Sequence, residues 1–201
     1  MGGKTSKGQS SGDKEGKTNE ALQDLTKNKK WVQQMEEYFD AVDLNKNGYL
    51  TVEEILQWSD NMKELCSQIT QEECENLKKC LKDFYGAAGL LPGKQVTKEE
   101  FLEGVSHLSE AELEKKKLGE ETLMESLCNA FYKAMDLNDD GKITVNEVKT
   151  IMKACNMTEE KAEKWFNLAD KNKNGVVETH ELTNAEFESW FCPEPEEDNI
   201  E

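Results

Sequence analysis

The sequence predicts an all-α protein in which four helix–loop–helix units form two paired lobes within one compact body. Three observations lead to this fold class. Apolar residues recur at helical spacing over most of the 201 residues. Polar, glycine-containing loops separate these amphipathic stretches, and three of the loops repeat one arrangement of Asp, Asn, Gly and Glu. No β-strand longer than a few residues is expected.

The two ends of the chain differ from the body between them. Residues 1–18 are rich in Gly, Ser and Lys, so they are predicted to form a disordered arm. Residues 193–201 are acidic and are predicted to form an extended, solvated tail. Between them, residues 19–118 are predicted to form the N-terminal pair of units and residues 119–192 the C-terminal pair.

Some helix boundaries are marked within the body. A Ser or Thr followed three residues later by Glu has the spacing of a capping box, in which the two side chains satisfy free amide groups at a helix start. Thr70 with Glu73, and Ser109 with Glu112, have this spacing and predict two new helices. Gly119 predicts a break between the two halves.

Charge and composition exclude several classes of partner. The chain carries 42 acidic against 25 basic residues, a formal net charge of −17. Such a body repels nucleic acid, so no nucleic-acid partner is expected. No apolar run approaches the ~20 residues that span a bilayer, and no secretory signal is evident. The sequence therefore predicts a cytoplasmic protein whose six cysteines stay as thiols.

Three loops carry oxygen-bearing residues in a layout that suits one kind of ion. Ca²⁺ takes about six to eight oxygen ligands, and a 12-residue loop supplies them from Asp or Asn at positions 1, 3 and 5, a carbonyl at 7 and a bidentate Glu at 12. Gly at position 6 allows the sharp turn. The loops at 43–54, 136–147 and 170–181 meet all of these requirements. Three Ca²⁺ ions are therefore predicted, with Mg²⁺ as a competitor.

The predicted ligands follow from that layout. They are Asp43, Asn45, Asn47, Glu54 and the carbonyl of Tyr49; Asp136, Asn138, Asp140, Glu147 and the carbonyl of Lys142; and Asp170, Asn172, Asn174, Glu181 and the carbonyl of Val176. Position 9 is Thr51, Thr144 or Glu178, which would coordinate directly or through a water. Because the first loop has fewer carboxylates at ligand positions than the other two, it is predicted to be the weakest site.

A fourth loop keeps the place of the others but not their ligands. Residues 89–100 retain Glu100 at position 12, whereas Gly89, Leu91 and Gly93 stand at positions 1, 3 and 5. One carboxylate does not offset the dehydration of the ion, so this loop is predicted to hold none.

Loop pairing would give this degenerate loop a structural role. Position 8 is apolar in all four loops, which suits the short antiparallel bridge between paired loops. Leu50 is expected to pair with Val96, and Ile143 with Val177. The degenerate loop would then support the first ion site.

The N-terminus fits the pattern of N-myristoylation. Gly2 becomes terminal once Met1 is removed, and Ser6 stands at the favoured later position. One such chain gives marginal, reversible membrane binding, to which nearby lysines would add up to about 1 kcal/mol each. An ordinary flexible arm is the alternative. The pattern predicts weak, tunable attachment to a membrane surface.

The three loops identify the chain as a member of the EF-hand superfamily. The order binding, non-binding, binding, binding resembles that of the calcium-regulated photoproteins and the related sarcoplasmic calcium-binding proteins. Local matches carry the same resemblance: KWVQQMEEYFDAVDLNKNG at 30–48, FYGAAG at 84–89 and AELEK at 111–115. The N-terminal arm looks like that of myristoylated EF-hand proteins.

The activity that this resemblance implies fits the sequence only in part. Photoproteins oxidise bound coelenterazine in a cavity lined by His, Trp and Tyr, with Arg taking part in the ctenophore type. Here Glu186 stands where the cnidarian type has His, Phe191 replaces an aromatic hydroxyl neighbour, and the chain has no Arg. Although Trp190 could match a cavity Trp, the tryptophans are expected to be core residues: Trp31, Trp58, Trp165 and Trp190. No enzymatic activity is predicted.

Two non-enzymatic functions remain, and the first is favoured. An intracellular sensor would open on binding Ca²⁺ and offer a target-protein helix an apolar groove, containing Met124, Met135, Met152 or Met157. A sarcoplasmic-type buffer would fill its sites with little opening. A coelenterazine-binding photoprotein is the less favoured alternative.

Overall fold

The structure, a computed structural model, describes residues 24–154 and 157–194. These residues form eight α-helices and two very short strands, which confirms the all-α class. The helices are α1 (Lys29–Val42), α2 (Val52–Leu65), α3 (Gln71–Ala87), α4 (Lys98–Leu118), α5 (Leu123–Met135), α6 (Val145–Ala154), α7 (Glu159–Ala169) and α8 (Thr179–Phe191). The strands are β1 (Tyr49–Leu50) and β2 (Val96–Thr97). The predicted arm at 1–18, with Gly2, and most of the predicted tail lie outside the described residues.

The helix that follows each loop is capped by residues of the loop itself. The carboxylate of the Glu at position 12 accepts a hydrogen bond from the amide of position 9, which satisfies a free amide at the helix start. The pairs are Thr51 with Glu54 before α2, Thr97 with Glu100 before α4, Thr144 with Glu147 before α6, and Glu178 with Glu181 before α8. One loop sequence therefore sets both the ligands and the start of the next helix.

One predicted helix start is correct and the other is wrong. Thr70 and Glu73 form a capping box, and α3 begins at Gln71. Ser109, however, lies in the middle of α4, where its hydroxyl donates to the carbonyl of Ser106.

Glu112 hydrogen-bonds the start of α5, and not the amide of Ser109 that the predicted capping box requires. It is fully buried and accepts hydrogen bonds from the amides of Leu123 and Met124, at 3.0 and 2.9 Å. A carboxylate at a helix N-terminus also meets the favourable end of the helix dipole. Glu112 thus caps α5 from a neighbouring helix, while α4 ends at Gly119 in the left-handed conformation, φ 69°.

The predicted bridges between paired loops are confirmed. β1 and β2 pair antiparallel with Leu50 opposite Val96. Ile143 and Val177 form an isolated bridge, exchanging hydrogen bonds of 3.2 and 2.8 Å. The degenerate loop is therefore joined to the first loop in the same way as the two C-terminal loops are joined to each other.

One hydrophobic core runs through both halves of the body. α3 packs against α5, and α4 packs against both α1 and α8. The buried Trp31 donates its indole N–H to the carbonyl of Trp190 at 2.8 Å, which ties the first helix to the last. The limits of the two pairs at residues 118/119 and 192/193 stay predictions, since the halves share this core. No helix in the described ranges is long and apolar enough to cross a membrane.

Candidate functional site: three oxygen-rich loops around an aromatic cavity

The first residue of each of the three ligand-bearing loops accepts hydrogen bonds from the turn that follows it. The bonds from position 6 to position 1 are Gly48 to Asp43 at 2.9 Å, Gly141 to Asp136 at 2.8 Å and Gly175 to Asp170 at 2.9 Å. These glycines have φ between 75° and 84°, a conformation that side chains disfavour. The amide of position 5 also donates to the carboxylate of position 1 in each loop, so the turn folds around that first residue.

The Glu at position 12 closes each loop from the opposite side. Besides accepting from position 9, each carboxylate accepts from an amide at the start of its loop: Asn45 to Glu54 at 3.4 Å, Leu137 to Glu147 at 3.1 Å and Asn172 to Glu181 at 3.2 Å. All three are at most 9% exposed. Buried carboxylates in a ring of oxygens call for a cation, because isolated buried charge is costly.

The three loops therefore fit Ca²⁺ by donor chemistry. In the described part of the chain, no cluster made only of His, Cys, Asp and Glu stands as a metal site. The set is instead completed by asparagine amides and the main-chain carbonyls of the turn, the mixed oxygen set that Ca²⁺ takes. Asn45 presents its amide nitrogen to Glu54 at 2.7 Å, so this amide must turn its oxygen inward to bind an ion.

Positions 7 and 9 also have repeated geometry. The amides of the three predicted carbonyl ligands each donate to the side chain at position 5: Tyr49 to Asn47, Lys142 to Asp140 and Val176 to Asn174, at 2.8 to 3.0 Å. At position 9, the hydroxyls of Thr51 and Thr144 donate to the Glu at position 12. Coordination by position 9 stays a prediction.

The degenerate loop carries a lysine beside its one retained carboxylate. Lys94, at position 6, lies 3.9 Å from the carboxylate of Glu100. The amide of Thr97 donates to Glu100 and, with Lys94 nearby, holds the pKa of that carboxyl below its ordinary value. A lysine where the other loops have glycine supports the prediction that this loop takes no divalent ion.

A cavity of about 440 Å³ lies between the helices of the two halves. That volume lies within the range of sites for drug-sized ligands, and most of the lining is apolar. The four methionines predicted for a target groove all line it: Met124, Met135, Met152 and Met157. The lining also contains exposed polar residues: Gln34 and Glu37 of α1, Lys161 and Lys164 of α7, and Ser189 of α8.

Aromatic side chains form one wall of this cavity. Tyr38 packs edge-on against Trp190 and Trp58, with ring centroids 5.0 and 5.9 Å apart. The hydroxyls of Tyr38 and Tyr85 share a short hydrogen bond. The buried indole nitrogen of Trp58 has no hydrogen-bond partner among the described residues, which is uncommon for a buried donor.

Two carboxylates line the cavity, the exposed Glu37 and the half-buried Glu186. Glu186 accepts hydrogen bonds from the indole N–H of Trp165 at 2.7 Å and of Trp190 at 3.2 Å. Burial raises the pKa of the Glu186 carboxyl above its ordinary value, and the two indole donors oppose this effect.

The prediction that the tryptophans are core residues is correct for Trp31 and incomplete for the others. Trp58 and Trp190 are buried, but each has a face on the cavity, and Trp165 is half-buried at its wall. Tyr38 and Tyr85 were missed as cavity residues, although the FYGAAG segment that carries part of the resemblance contains Tyr85. His180, at position 11 of the last loop, is exposed.

Comparison with known proteins places the chain in a family. The model of the EF-hand domain pair matches residues 32–153 and 124–186. Obelin from Obelia geniculata is 30% identical over 177 residues, covering 86% of this chain and 90% of obelin. This chain belongs to the EF-hand proteins. Within that class, it is homologous to the calcium-regulated photoproteins.

Solved structures of similar fold support the same assignment. Mg²⁺-loaded apo-berovin, from the ctenophore Beroe abyssicola, has a TM-score of 0.71 and 31% identity, covering 80% of this chain and 87% of berovin. All three Ca²⁺-binding loops of that light-sensitive photoprotein bind magnesium. Apoaequorin in complex with (S)-HM-daCTZ has a TM-score of 0.76 and 26% identity, covering 85% of this chain and 89% of apoaequorin.

Proposed function

We propose that this protein is a Ca²⁺-responsive luciferin-binding protein, which holds a coelenterazine-type aromatic heterocycle in its central cavity and answers Ca²⁺ with a change at that ligand. The observation that carries this proposal is the aromatic cavity of about 440 Å³ between the two loop pairs of a photoprotein homologue. This reverses the order of alternatives expected from the sequence, where the sensor came first.

The make-up of the cavity supports an aromatic ligand. Ligand sites combine a mostly apolar lining with a few polar groups that fix orientation. Here the apolar part is methionine and aromatic rings, and the polar groups are the hydroxyls of Tyr38 and Tyr85 and the carboxylate of Glu186. Methionine adapts its shape and makes favourable contacts with aromatic rings.

The connection of loops to walls supports control by Ca²⁺. α1 carries Tyr38 and ends at Val42, directly before the first ligand Asp43. α8 carries Glu186 and Trp190 and begins directly after loop position 9 of the last loop. Because both helices line the cavity, ions that pull on the loops would move its walls.

Ligand binding can be tested with a variant that fills the cavity. Apo-protein is incubated with coelenterazine, thiol and oxygen, freed of unbound ligand by gel filtration, and given Ca²⁺ in a luminometer. We expect one retained ligand per chain and a light burst. Ala185→Trp, on the cavity wall, should weaken retention at least tenfold, whereas Asn184→Trp on the exposed face of α8 should not. Failure of the unaltered protein to retain ligand would contradict the proposal.

We propose that three ions bind, the first loop most weakly. Isothermal titration should show one site fewer in each of Glu54→Gln, Glu147→Gln and Glu181→Gln, because the bidentate ligand is lost. Loss of the tightest site in Glu54→Gln would contradict the ranking. Mg²⁺ should compete in the same titration, as the behaviour of berovin suggests.

A sensor remains the second candidate, because all four predicted methionines line the cavity. If Ca²⁺ parted the walls, these residues would form a groove for a target helix. Ca²⁺-dependent fluorescence of a hydrophobic dye would favour this function, and an unchanged signal would oppose it. The proposed cytoplasmic location and membrane attachment through myristoylated Gly2 belong to this candidate, and the intact mass of the protein from cells tests the modification.

A further inference from the structure

We propose that Glu186 is the proton acceptor of the cavity: it binds the acidic N–H or O–H of an aromatic heterocyclic ligand and takes that proton. This inference rests on the proposed function, since it concerns the same cavity. It assigns a chemical role to a residue that has no counterpart in the cavity expected from the resemblance, where histidine stands.

The position of Glu186 is held from two sides. Oε1 accepts from Trp165 on α7, and Oε2 accepts from Trp190 one turn further along α8. A carboxylate has about four lone-pair positions, so two donors leave acceptor capacity on both oxygens. The two indoles fix the orientation of the group without using up its ability to accept from a ligand.

No positively charged side chain in the described part of the chain pairs with Glu186. None of the ion pairs among the described residues involves Glu186. From α5 it faces Cys128, whose thiol pKa burial raises well above its ordinary value, so that group is neutral. The other charged residues of the lining are exposed: Lys161 and Lys164 of α7, and Glu37 of α1.

A carboxylate in that setting is a better base than one in water. Burial disfavours its charged form, which raises its affinity for a proton, and proton transfer is most effective when the pKa of the base approaches the working pH. The two indole N–H donors favour the ionised form and so oppose that shift. In the transfer, the N–H or O–H bond of the ligand breaks, a bond from the proton to a Glu186 oxygen forms, and the electron pair stays on the heterocycle.

The exposed lysines of the lining disfavour a cationic ligand. Lys161 and Lys164 both border the cavity, and their positive charges repel a cation. The aromatic walls and the acceptor oxygens of Glu186 instead suit a neutral ring system with one acidic proton. The class of ligand is thus a neutral aromatic heterocycle that can become an anion.

The test compares apo-protein with the Glu186→Gln variant, using coelenterazine as the probe. Glutamine has nearly the same shape but is not a base, and it offers one oxygen where the indoles now find two. Trp fluorescence quenching gives the dissociation constant, and the absorption band of the bound heterocycle gives its protonation state. Glu188→Gln, on the exposed side of the same helix, is the control.

We expect Glu186→Gln to bind at least tenfold more weakly and to show the band of the neutral heterocycle, while Glu188→Gln matches the unaltered protein. Equal affinity with an unchanged band in Glu186→Gln would overturn this inference and leave the proposed function intact. No binding by the unaltered protein would overturn the proposed function itself, which is a distinguishable result.

A second variant covers the case in which Glu186→Gln does not fold, as judged by circular dichroism and Ca²⁺ titration. Trp165→Phe keeps the carboxylate and removes one of its donors, which strengthens it as a base. The bound heterocycle should then be more deprotonated than in the unaltered protein. A band that does not move in Trp165→Phe would overturn the assignment, because a purely structural tie between α7 and α8 would not affect the ligand spectrum.

Discussion

Single residues in this protein serve two elements at once. Each Glu at loop position 12 closes its loop and caps the helix that follows. Glu112 belongs to α4 but caps α5, and the carbonyl of Ala88 at the end of α3 lies against Gly104 of α4. A substitution at such a residue changes its closest contact. The distance of that contact therefore predicts the effect on stability.

Gly104→Ala should destabilise the protein by about 1–3 kcal/mol, the usual cost of overpacking. A Cβ at Gly104 would lie 1.9 Å from the carbonyl oxygen of Ala88, and backbone cannot yield as a flexible side chain can. Gly86→Ala is the matched control, since a Cβ there meets nothing within 4 Å. It should stabilise α3 by about 0.5–1 kcal/mol. Urea unfolding measures both, and a similar shift in the two variants would contradict the argument.

At the scale of elements, the loop pair is the working unit. The first loop has ligands and the degenerate loop has none of the required oxygens at positions 1, 3 and 5, yet β1 and β2 join them. Leu50 and Val96 are almost fully buried at that junction. We therefore expect the degenerate loop to support the first ion site through packing and not through coordination.

Val96→Ala should weaken Ca²⁺ binding at the first loop about three- to tenfold, because lost packing of roughly 1 kcal/mol loosens the bridge. The C-terminal loops should keep their affinities. Glu100→Gln is the control within the same loop, and it should leave all affinities unchanged because Glu100 is paired with Lys94. Isothermal titration reads out each case. A lost site in Glu100→Gln would show that the degenerate loop coordinates an ion.

At the scale of the whole molecule, the acidic loops and the cavity are connected by helices that adjoin both. The chain has a net charge of −17, and its loops bury carboxylates at their centres. Without cations these groups repel one another, so the folded state is at a disadvantage that bound ions remove. The first and last of these loops adjoin α1 and α8, which line the cavity.

Removal of Ca²⁺ by a chelator should lower the unfolding temperature clearly. An ion that binds only the folded state stabilises it by about 2.7 kcal/mol per site at a concentration 100 times its dissociation constant. Scanning calorimetry with Ca²⁺ and with chelator, at matched ionic strength, measures the difference. KCl in place of CaCl₂ is the control for screening, and equal unfolding temperatures in the two would contradict specific binding.

The local features of this protein could be predicted from its sequence. The three loops, the degenerate fourth, the bridges Leu50–Val96 and Ile143–Val177, and the N-cap of α3 at Thr70 all depend on residues within a dozen positions or on a repeated pattern. Short-range geometry fixes such features, because turn glycines, caps and oxygen ligands act on neighbours in the chain.

Only the tertiary structure decided what the helices enclose. Glu112 was predicted to start a helix, but it caps α5 across a tertiary contact. Trp31 meets Trp190 across 159 positions, Tyr38 meets Tyr85 across 47, and Glu186 meets Trp165 across 21. A periodic pattern tells which face of a helix is apolar, not whether that face meets another helix or a cavity. The ligand-bearing loops could therefore be predicted from the sequence, whereas the cavity could not.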